Sequence, residues 1–567
     1  MLNIPNINQS ATINKPATKP VQTQPQAPEV SSSVSQQTPK YTANIYPTET
    51  VPVYTQTSTP TPEFSKPTVT HSSWFYINDV HGKMTNMERI YNISQEFDRL
   101  PAKNFAKDFY TNSTDNVSKF KVSSGDIILG ANYTSNQVAS QFLNWSGFIA
   151  SALGNHEVDV TNPTNLAKLL NDANYKMLAI NVDINKNSPL NGKIEKSTII
   201  EKDGIKYGLI GIAPPDMLQR VKMNDTLKDF TIYDPDKTIK VVQEEVNRLT
   251  GLGIKHIAVL SHAGIKNDKR LAQETSGIDL IFGAHTHDLI QGIEEGKNLF
   301  YSKAGEPVII TQAGKDGETV GILNVDFDQN GVIQKAQNNI IKTREFNRPL
   351  FIKDSVENII GKPEIVGRIG KTLPPPAKRL AENNPHGNMI ADAMRHELGT
   401  DIGILNAGNI RGSFSQGPID TRAISDITPF DDKMMILGLT EKQIVDSIKV
   451  GLKSLTKSSN KPGILLVSGL RYKANTKGEL LEMEFIDKNN QSHKIDVNNP
   501  DPNKKYTVAA DDFYATGGDG YLESNKNPEF VIQKFDMDKN KLACNYIKKL
   551  DQPIDIIDDH RVQIIEA

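Results

Sequence analysis

Five short clusters rich in Asp, His and Asn recur between Asn78 and His287. They read Asn78-Asp79-Val80-His81-Gly82, Gly125-Asp126, Gly154-Asn155-His156-Glu157-Val158-Asp159, Ser261-His262-Ala263-Gly264 and Gly283-Ala284-His285-Thr286-His287. The chain has eleven histidines, and five of them sit in these clusters. Carboxylate, imidazole and amide donors in this number suffice for two metal ions. The only cysteine, Cys544, excludes a multi-thiolate metal site and an intrachain disulfide. Such donors suit Zn²⁺, Mn²⁺, Fe, Co²⁺ or a mixture, rather than an all-oxygen Ca²⁺ cage. A two-metal centre activates water as hydroxide at neutral pH and neutralises charge on a transferring phosphoryl group. The expectation is therefore a catalytic dinuclear centre. Taken singly, each cluster reads as a turn or a satisfied hydrogen-bond pair, because Gly-Asp and Asp-x-His are common there. Their joint occurrence argues against that reading.

Something must bring these clusters together, and the sequence supplies it. Ile77 precedes Asn78-Asp79, Val122 precedes Gly125-Asp126, Leu260 precedes His262, and Phe282 precedes His285 and His287. Each of these apolar residues ends a strand-like run. Ligands in layered α/β folds gather at the carboxyl ends of strands, so residues distant in sequence can meet at one rim. Trp74-Phe75-Tyr76-Ile77 opens the folded part as a buried strand. Strand-like runs (Phe120–Val122, Ile257–Leu260, Ile278–Phe282) then alternate with amphipathic stretches such as Ile239 to Leu249, which predicts an α/β layered domain over 73–343. A helical stretch at Ile352–Ile360 leads to Lys371-Thr372-Leu373-Pro374-Pro375-Pro376, which ends any helix, so 344–370 reads as a connector. Residues 371–567 mix helices (Asn388–Leu398) with strands (Ile402–Leu405, Tyr506–Ala509), as an α+β second domain does.

A chain of 567 residues is too long for one core and divides into domains. Residues 1–72, dominated by Pro, Thr, Ser, Gln and Val, cannot bury enough apolar surface to offset ordering and read as a disordered leader. Net charge is −3, from 64 basic and 67 acidic residues, so no global field favours a nucleic-acid polymer. Local groups must hold any anionic ligand. No apolar run spans a bilayer, and Met1-Leu2-Asn3-Ile4-Pro5-Asn6 shows neither the basic nor the apolar region of a secretory signal.

The series Asp79-x-His81, Gly125-Asp126, Gly154-Asn155-His156-Glu157, His262-x-Gly264 and Gly283-x-His285-x-His287 resembles the calcineurin-like metallophosphoesterases. With Val158-Asp159 it is similar to their 5′-nucleotidase subfamily, whose relatives include UDP-sugar hydrolases and 2′,3′-cyclic-nucleotide phosphodiesterases. The second domain agrees independently. Asn406-Ala407-Gly408-Asn409-Ile410-Arg411, Thr428-Pro429-Phe430 and Phe513-Tyr514-Ala515-Thr516-Gly517-Gly518-Asp519-Gly520 resemble that family's C-terminal nucleoside-binding motifs. The resemblance implies a four-layer α/β/β/α metallophosphoesterase domain followed by an α+β substrate-binding domain.

It further implies that Asp79, His81, Asp126 and His287 hold one divalent metal, and that Asp126, Asn155, His262 and His285 hold the other. His156 would stabilise the transition state and leaving group, oriented by Asp159. Phe430 and Phe513 would sandwich a base, Asp519 would bind the ribose or its neighbour, and Asn406 and Arg411 would contact ribose and phosphate. Residue chemistry is compatible: aromatic faces stack on any base, and arginine presents a fixed fork to phosphate oxygens. The expected reaction is hydrolysis of nucleoside 5′-monophosphates, with interdomain rotation during turnover. Alternatives are a UDP-sugar or dinucleotide diphosphatase, a cyclic phosphodiesterase, and a non-catalytic nucleotide-binding surface protein. Members are usually periplasmic, extracellular or cell-surface, which contrasts with the missing signal. Asn409 stands where the family usually has glycine, and asparagine tolerates the left-handed backbone such a position can require. Val158 replaces a commoner Phe, and the upstream phosphate-binding arginine has only Arg379 as a candidate.

Overall fold

Alternation along single strands decides the layering. In the strand Thr68–Ile77, Trp74 and Tyr76 face one way and Phe75 and Ile77 the other, all at most 1% exposed. Trp74 and Tyr76 join Phe120, Val122, Tyr207, Ala258, Leu260 and Phe282 in one core, whereas Phe75 and Ile77 join helical residues such as Ile90, Phe97 and Phe142 in another. In the strand His256–Ser261, Ala258 and Leu260 enter the shared core while Ile257 and Val259 pack on Val242, Val246 and Leu271 from helices. Strands apolar on both faces must be covered on both. Two sheets therefore stack face to face with helices outside, as an α/β/β/α sandwich. Each phenylalanine in the inter-sheet layer, Phe120 and Phe282 among them, contributes about 2 kcal/mol by leaving water.

The computed structural model describes residues 68–567 except 107–108, 110–116, 130–132, 160–161, 222–224, 346–351, 431, 458–461 and 526–527. The leader expected over 1–72 lies outside the described residues up to 67. Its last five residues belong to the first strand, which begins at Thr68 rather than Trp74. Thr and Ser made this part look like leader, yet β-branched residues suit a pleated strand. This strand runs parallel to Val117–Ser123 and antiparallel to Thr319–Asp328.

The seven-stranded sheet continues through Ala150–Ala152, Lys176–Leu178 and Ile194–Glu195 on one side and Ile333–Lys342 on the other. The six-stranded sheet runs Leu299–Tyr301, Pro307–Thr311, Leu280–Phe282, His256–Ser261, Ile205–Ile212, Ser197–Lys202. The central strands of both sheets are parallel, so their carboxyl ends share an edge.

Past 343 the chain changes hands within a few residues. Ile352 and Val356, the latter on the helix Lys353–Ile360, are buried in the first domain's helical layer. Ile365–Ile369 already pairs with Gly417–Asp420 of the second domain. The expected connector is thus shared out between the domains, and only 361–364 lies between these elements. Lys371–Pro376 carries no helix or strand, as its prolines require. The second domain has a five-stranded sheet in the order Leu465–Ser468, Ile402–Asn406, Lys505–Asp511, Lys433–Thr440, Val531–Asp538, with a four-stranded sheet beside it. The helix Pro385–Leu398, capped by the Asn384 side chain, packs on the five-stranded sheet through Ile390, Ala391 and Met394.

Candidate metal centre and nucleoside pocket

Every cluster sits where its strand ends. Asp79 follows Ile77 by two residues, Asp126 follows Ser123 by three, Asn155 follows Ala152 by three, His262 directly follows Ser261, and His285 and His287 lie just past Phe282. The loops are joined through their backbones: Asp79 N–H donates to Gly125 O at 3.0 Å, His81 N–H to Asp126 O at 2.9 Å, and Gly82 N–H to Ile127 O at 2.8 Å. Asp79, His81, Asp126, His285 and His287 all have φ between 51° and 75°. Left-handed backbone at a non-glycine residue costs about 1–2 kcal/mol and concentrates at functional sites. Five of the seven expected ligands carry it. Gly154 is equally constrained, since a Cβ there would stand 2.1 Å from Asp126 Oδ1.

The ligand atoms converge. Among the described residues, three groups of three lie within 4.8 Å: Asp79, His81 and His287; His81, Asp126 and His156; and Asp79, Asp126 and His262. Asp126 Oδ2 is 3.2 Å from His262 Nε2 and 3.7 Å from His81 Nε2. Asp79 Oδ1 is 3.4 Å from His287 Nε2 and 3.7 Å from His262 Nε2. Asp126 Oδ1 is committed elsewhere, accepting the His156 N–H at 2.8 Å. Asn155 Oδ1 is buried without a hydrogen-bond partner, as a carbonyl meant for a cation would be. His285 stands beside His262, ring centroids 5.1 Å apart, but its Nε2 turns to Asp216 at 3.0 Å, outside the three groups.

Electrostatics follow from crowding. Burial alone would raise the Asp126 carboxyl, but the His262 and His156 charges and hydrogen bonds from His262 and His81 hold it well below the usual range. Burial pulls His81 and His262 down, and the carboxylates outweigh it, pushing them up to about 9 and about 10. The cluster is a set of anions that demands positive charge, which suits it to divalent cations. His156 is fixed by Asp159, whose Oδ2 is 2.6 Å from Nδ1.

Glu157 belongs to a motif but has no role that the sequence alone suggests. Its buried carboxylate accepts the N–H groups of Asp126 and Ile127 at 2.9 Å and Gly154 at 2.8 Å, shaping the loop that carries Asp126. Val158 is fully buried in the helical layer, where a smaller side chain than Phe is a packing change.

In the second domain, Arg411 lies across from this rim. Its backbone O accepts from Lys83 Nζ at 2.8 Å, and Lys83 also reaches Asp426 O at 2.7 Å. Arg422 and Glu88 form a buried pair at 3.0 Å across the same boundary. The Arg411 guanidinium sits 5.2 Å from the Phe430 centroid. Carboxylates acting on it include Asp159, Asp316 and Asp126 of the first domain and Asp519 of its own. Arg379 shares its mooring: both arginines donate to Gly408 O, and burial followed by the neighbouring Arg411 charge pushes Arg379 down to about 9.

A family model for calcineurin-like phosphoesterases matches residues 75–289, and one for the 5′-nucleotidase C-terminal domain matches residues 366–524. The chain belongs to the 5′-nucleotidase family. Members are phosphoric ester hydrolases; calcineurin-like phosphoesterases use divalent metals, and this chain carries clustered Asp and His side chains that are candidate ligands for them. It is 26% identical to the trifunctional nucleotide phosphoesterase protein YfkN of Bacillus subtilis over 70% of its length, spanning only 29% of that longer protein. It is also 26% identical to the NAD 5′-nucleotidase of Haemophilus influenzae, over 71% of this chain and 76% of that one. In fold it is similar to the 5′-nucleotidase precursor of Thermus thermophilus, at 22% identity and a TM-score of 0.65, covering 88% of this chain and 100% of that one.

Where this 5′-nucleotidase family member departs from its relatives, the structure gives a reason. Asn409 is not left-handed; it closes the short helix Ala407–Asn409 and donates to Asn406 Oδ1 and, at 3.1 Å, to Asp511 Oδ2. Asp511 lies 3.8 Å from the fully buried Lys539, whose Nζ donates to Phe430 O at 3.1 Å. One network thus ties Asn406 to the backbone of Phe430. Phe513 is half-buried against Gly518, where a Cβ would meet its ring at 2.6 Å, and Asp519 is exposed with φ 53°. Of the histidines outside the clusters, His256 and His386 are buried packing residues, and His396, His493 and His560 face solvent. His71 is part-buried against Asp326. No helix among the described residues is long and apolar enough to cross a membrane.

Proposed function

We propose that this chain hydrolyses nucleoside 5′-monophosphates to nucleoside and phosphate, using two divalent cations. The observation that supports this best is the seat of Arg411, moored to the metal loop through Lys83 and stacked on Phe430. A phosphate held there would lie between the acidic rim and an aromatic face. Asp79, His81, Asp126 and His287 would hold one cation, and Asp126, Asn155, His262 and His285 the other. Bound divalent cations supply electrophilic charge to the phosphoryl oxygens and lower the pKa of a water.

The protein's own groups do the rest. Arg411 and Arg379 bind phosphate oxygens, and their fixed forks orient phosphorus toward the rim. Phe430 and Phe513 hold the base, while Asn406 and Asp519 contact the ribose. Asp159 accepts the His156 Nδ1–H, which leaves Nε2 facing the Asp126 carboxylate at 4.0 Å. In the doubly protonated ring, the Nε2 proton passes to the leaving ribose oxygen as the P–O bond breaks, so departing charge is neutralised as it forms and the neutral imidazole keeps its Nδ1–H on Asp159. The described boundary, with Lys83 and the Glu88–Arg422 pair bridging it, fits a closed state from which the domains rotate to exchange substrate and product.

A second reading, cleavage of dinucleotide diphosphates or cyclic nucleotides, draws on the relatives named NAD 5′-nucleotidase and trifunctional phosphoesterase. Phosphate release should be measured on AMP, other monophosphates, UDP-glucose, NAD and 2′,3′-cyclic AMP with Mn²⁺, Zn²⁺, Co²⁺ and Mg²⁺. Monophosphates turning over fastest is the expected result. Preference for NAD or the cyclic ester would transfer the assignment to the second reading. Adenosine binding without phosphate release under any metal would make the protein a binding module instead.

A further inference from the structure

Beyond the ligands, each half of the rim has a carboxylate of its own that the sequence motifs do not contain. Asp316 lies past the strand Pro307–Thr311, and its Oδ1 is 3.0 Å from His81 Nδ1. His81 Nε2 then points the other way, to Asp126 and Asp79 at 3.7 and 3.9 Å. Asp316 is itself fixed, since its backbone N–H donates to Asp79 O at 2.6 Å and its φ is 57°. Asp216 lies past the strand Ile205–Ile212, after Pro214-Pro215, and its Oδ1 is 3.0 Å from His285 Nε2. Its other oxygen accepts from Arg220 Nε at 2.7 Å, which clamps the carboxylate in place. With Nε2 facing this carboxylate, His285 has Nδ1 to offer a cation.

We infer that Asp316 and Asp216 are positioning residues, one for each metal: Asp316 orients His81 toward the first site and Asp216 orients His285 toward the second. A carboxylate on the far nitrogen of a liganding imidazole fixes its tautomer and ring direction and makes it a better donor. The fully buried imidazole of His262 has a backbone carbonyl in that role, Ser124 O at 2.6 Å from Nδ1. Affinity at the two sites would thus be tuned by separate residues more than two strands apart. This inference rests on the two-cation reading above.

Mn²⁺ should be titrated calorimetrically into the metal-free full chain and into Asp316→Ala, Asp216→Ala and Asp216→Asn, with circular dichroism and melting temperature recorded for each. Two binding events are expected for the unmodified chain. Asp316→Ala should weaken one of them roughly 10- to 100-fold and Asp216→Ala the other, each leaving its neighbour's affinity nearly unchanged. Asp216→Asn, which keeps an acceptor, should lose less than Asp216→Ala. Two events with unaltered affinities in folded variants, or both sites weakened alike by either one, would overturn the inference while leaving the two-cation reading in place. Fewer than two events in the unmodified chain would overturn both.

Discussion

The candidate metal rim and the residues proposed to hold a nucleoside are built in opposite ways. At the rim, ligands lie within a few residues of strand ends, and left-handed backbone fixes their direction before any side chain is chosen. The residues proposed to contact a nucleoside come from separate loops, and a buried network links two of them: Asn406 is held by Asn409, Asn409 by Asp511, and the Phe430 backbone by Lys539. The rim is local and backbone-made; the pocket is distributed and side-chain-made.

Asp126→Ala gives the sharpest break between the two. It removes the one carboxylate shared by both expected sites, worth several kcal/mol of transition-state charge, so phosphate release should fall roughly a thousandfold. Adenosine affinity, read by calorimetry, should hardly move. Equal loss of both would mean that the regions are not separable.

Acidification should separate the scaffolds. His256 is buried between Tyr207 and Phe327 with Nδ1 unpartnered, and burial, then the Lys255 charge, pushes it down to about 4 against the pull of Asp328. The unfolded chain, near 6.5, binds the proton more readily than the folded one. The stability that neutral His256 contributes is therefore full above that value and declines as pH falls toward 4, by up to about 3 kcal/mol. Urea unfolding at pH 7 and pH 5 should show His256→Phe losing about 2 kcal/mol less than the unmodified chain on acidification. His81 and His262, raised in the folded state, act in the opposite sense in both proteins.

Phe430→Ala should raise KM for a nucleotide by about 1–3 kcal/mol of lost stacking, with kcat nearly retained. Turnover of para-nitrophenyl phosphate, which has no base to stack, should be far less affected. Should both substrates suffer alike, Phe430 supports the fold and does not hold the base. Smallest of all, Asn409→Gly removes one internal donor and should raise KM about fivefold, near 1 kcal/mol, without touching metal content.

This contrast also sets how much could be read in advance. Asp79, Asp126 and His262 were legible because strand, turn and ligand are consecutive in the chain. The parallel strands that align them follow from apolar runs alone. Lys539 was not legible: in Asp-Lys-Asn-Lys it reads as a surface charge, and its burial depends on Phe430 and Asp432, more than 100 residues away. Asp316 was hidden in the same way, 235 residues from His81. Asn409 was visible as a departure, but its reason lay in Asp511, and the left-handed backbone it could have tolerated is absent. The first strand's start at Thr68 was masked by composition, since threonine and serine serve a leader and a strand equally.

The backbone of the rim bears on how such a protein can change over time. Glycine, asparagine and aspartate are the residues that enter left-handed conformation most cheaply. At His81, His285 and His287, drift toward glycine or asparagine would relieve conformational cost while deleting candidate ligands. Loss of chemistry therefore lies downhill in folding terms. A descendant could fall silent as a catalyst yet keep its sandwich and its second domain, and selection for turnover alone would keep the ligands in place.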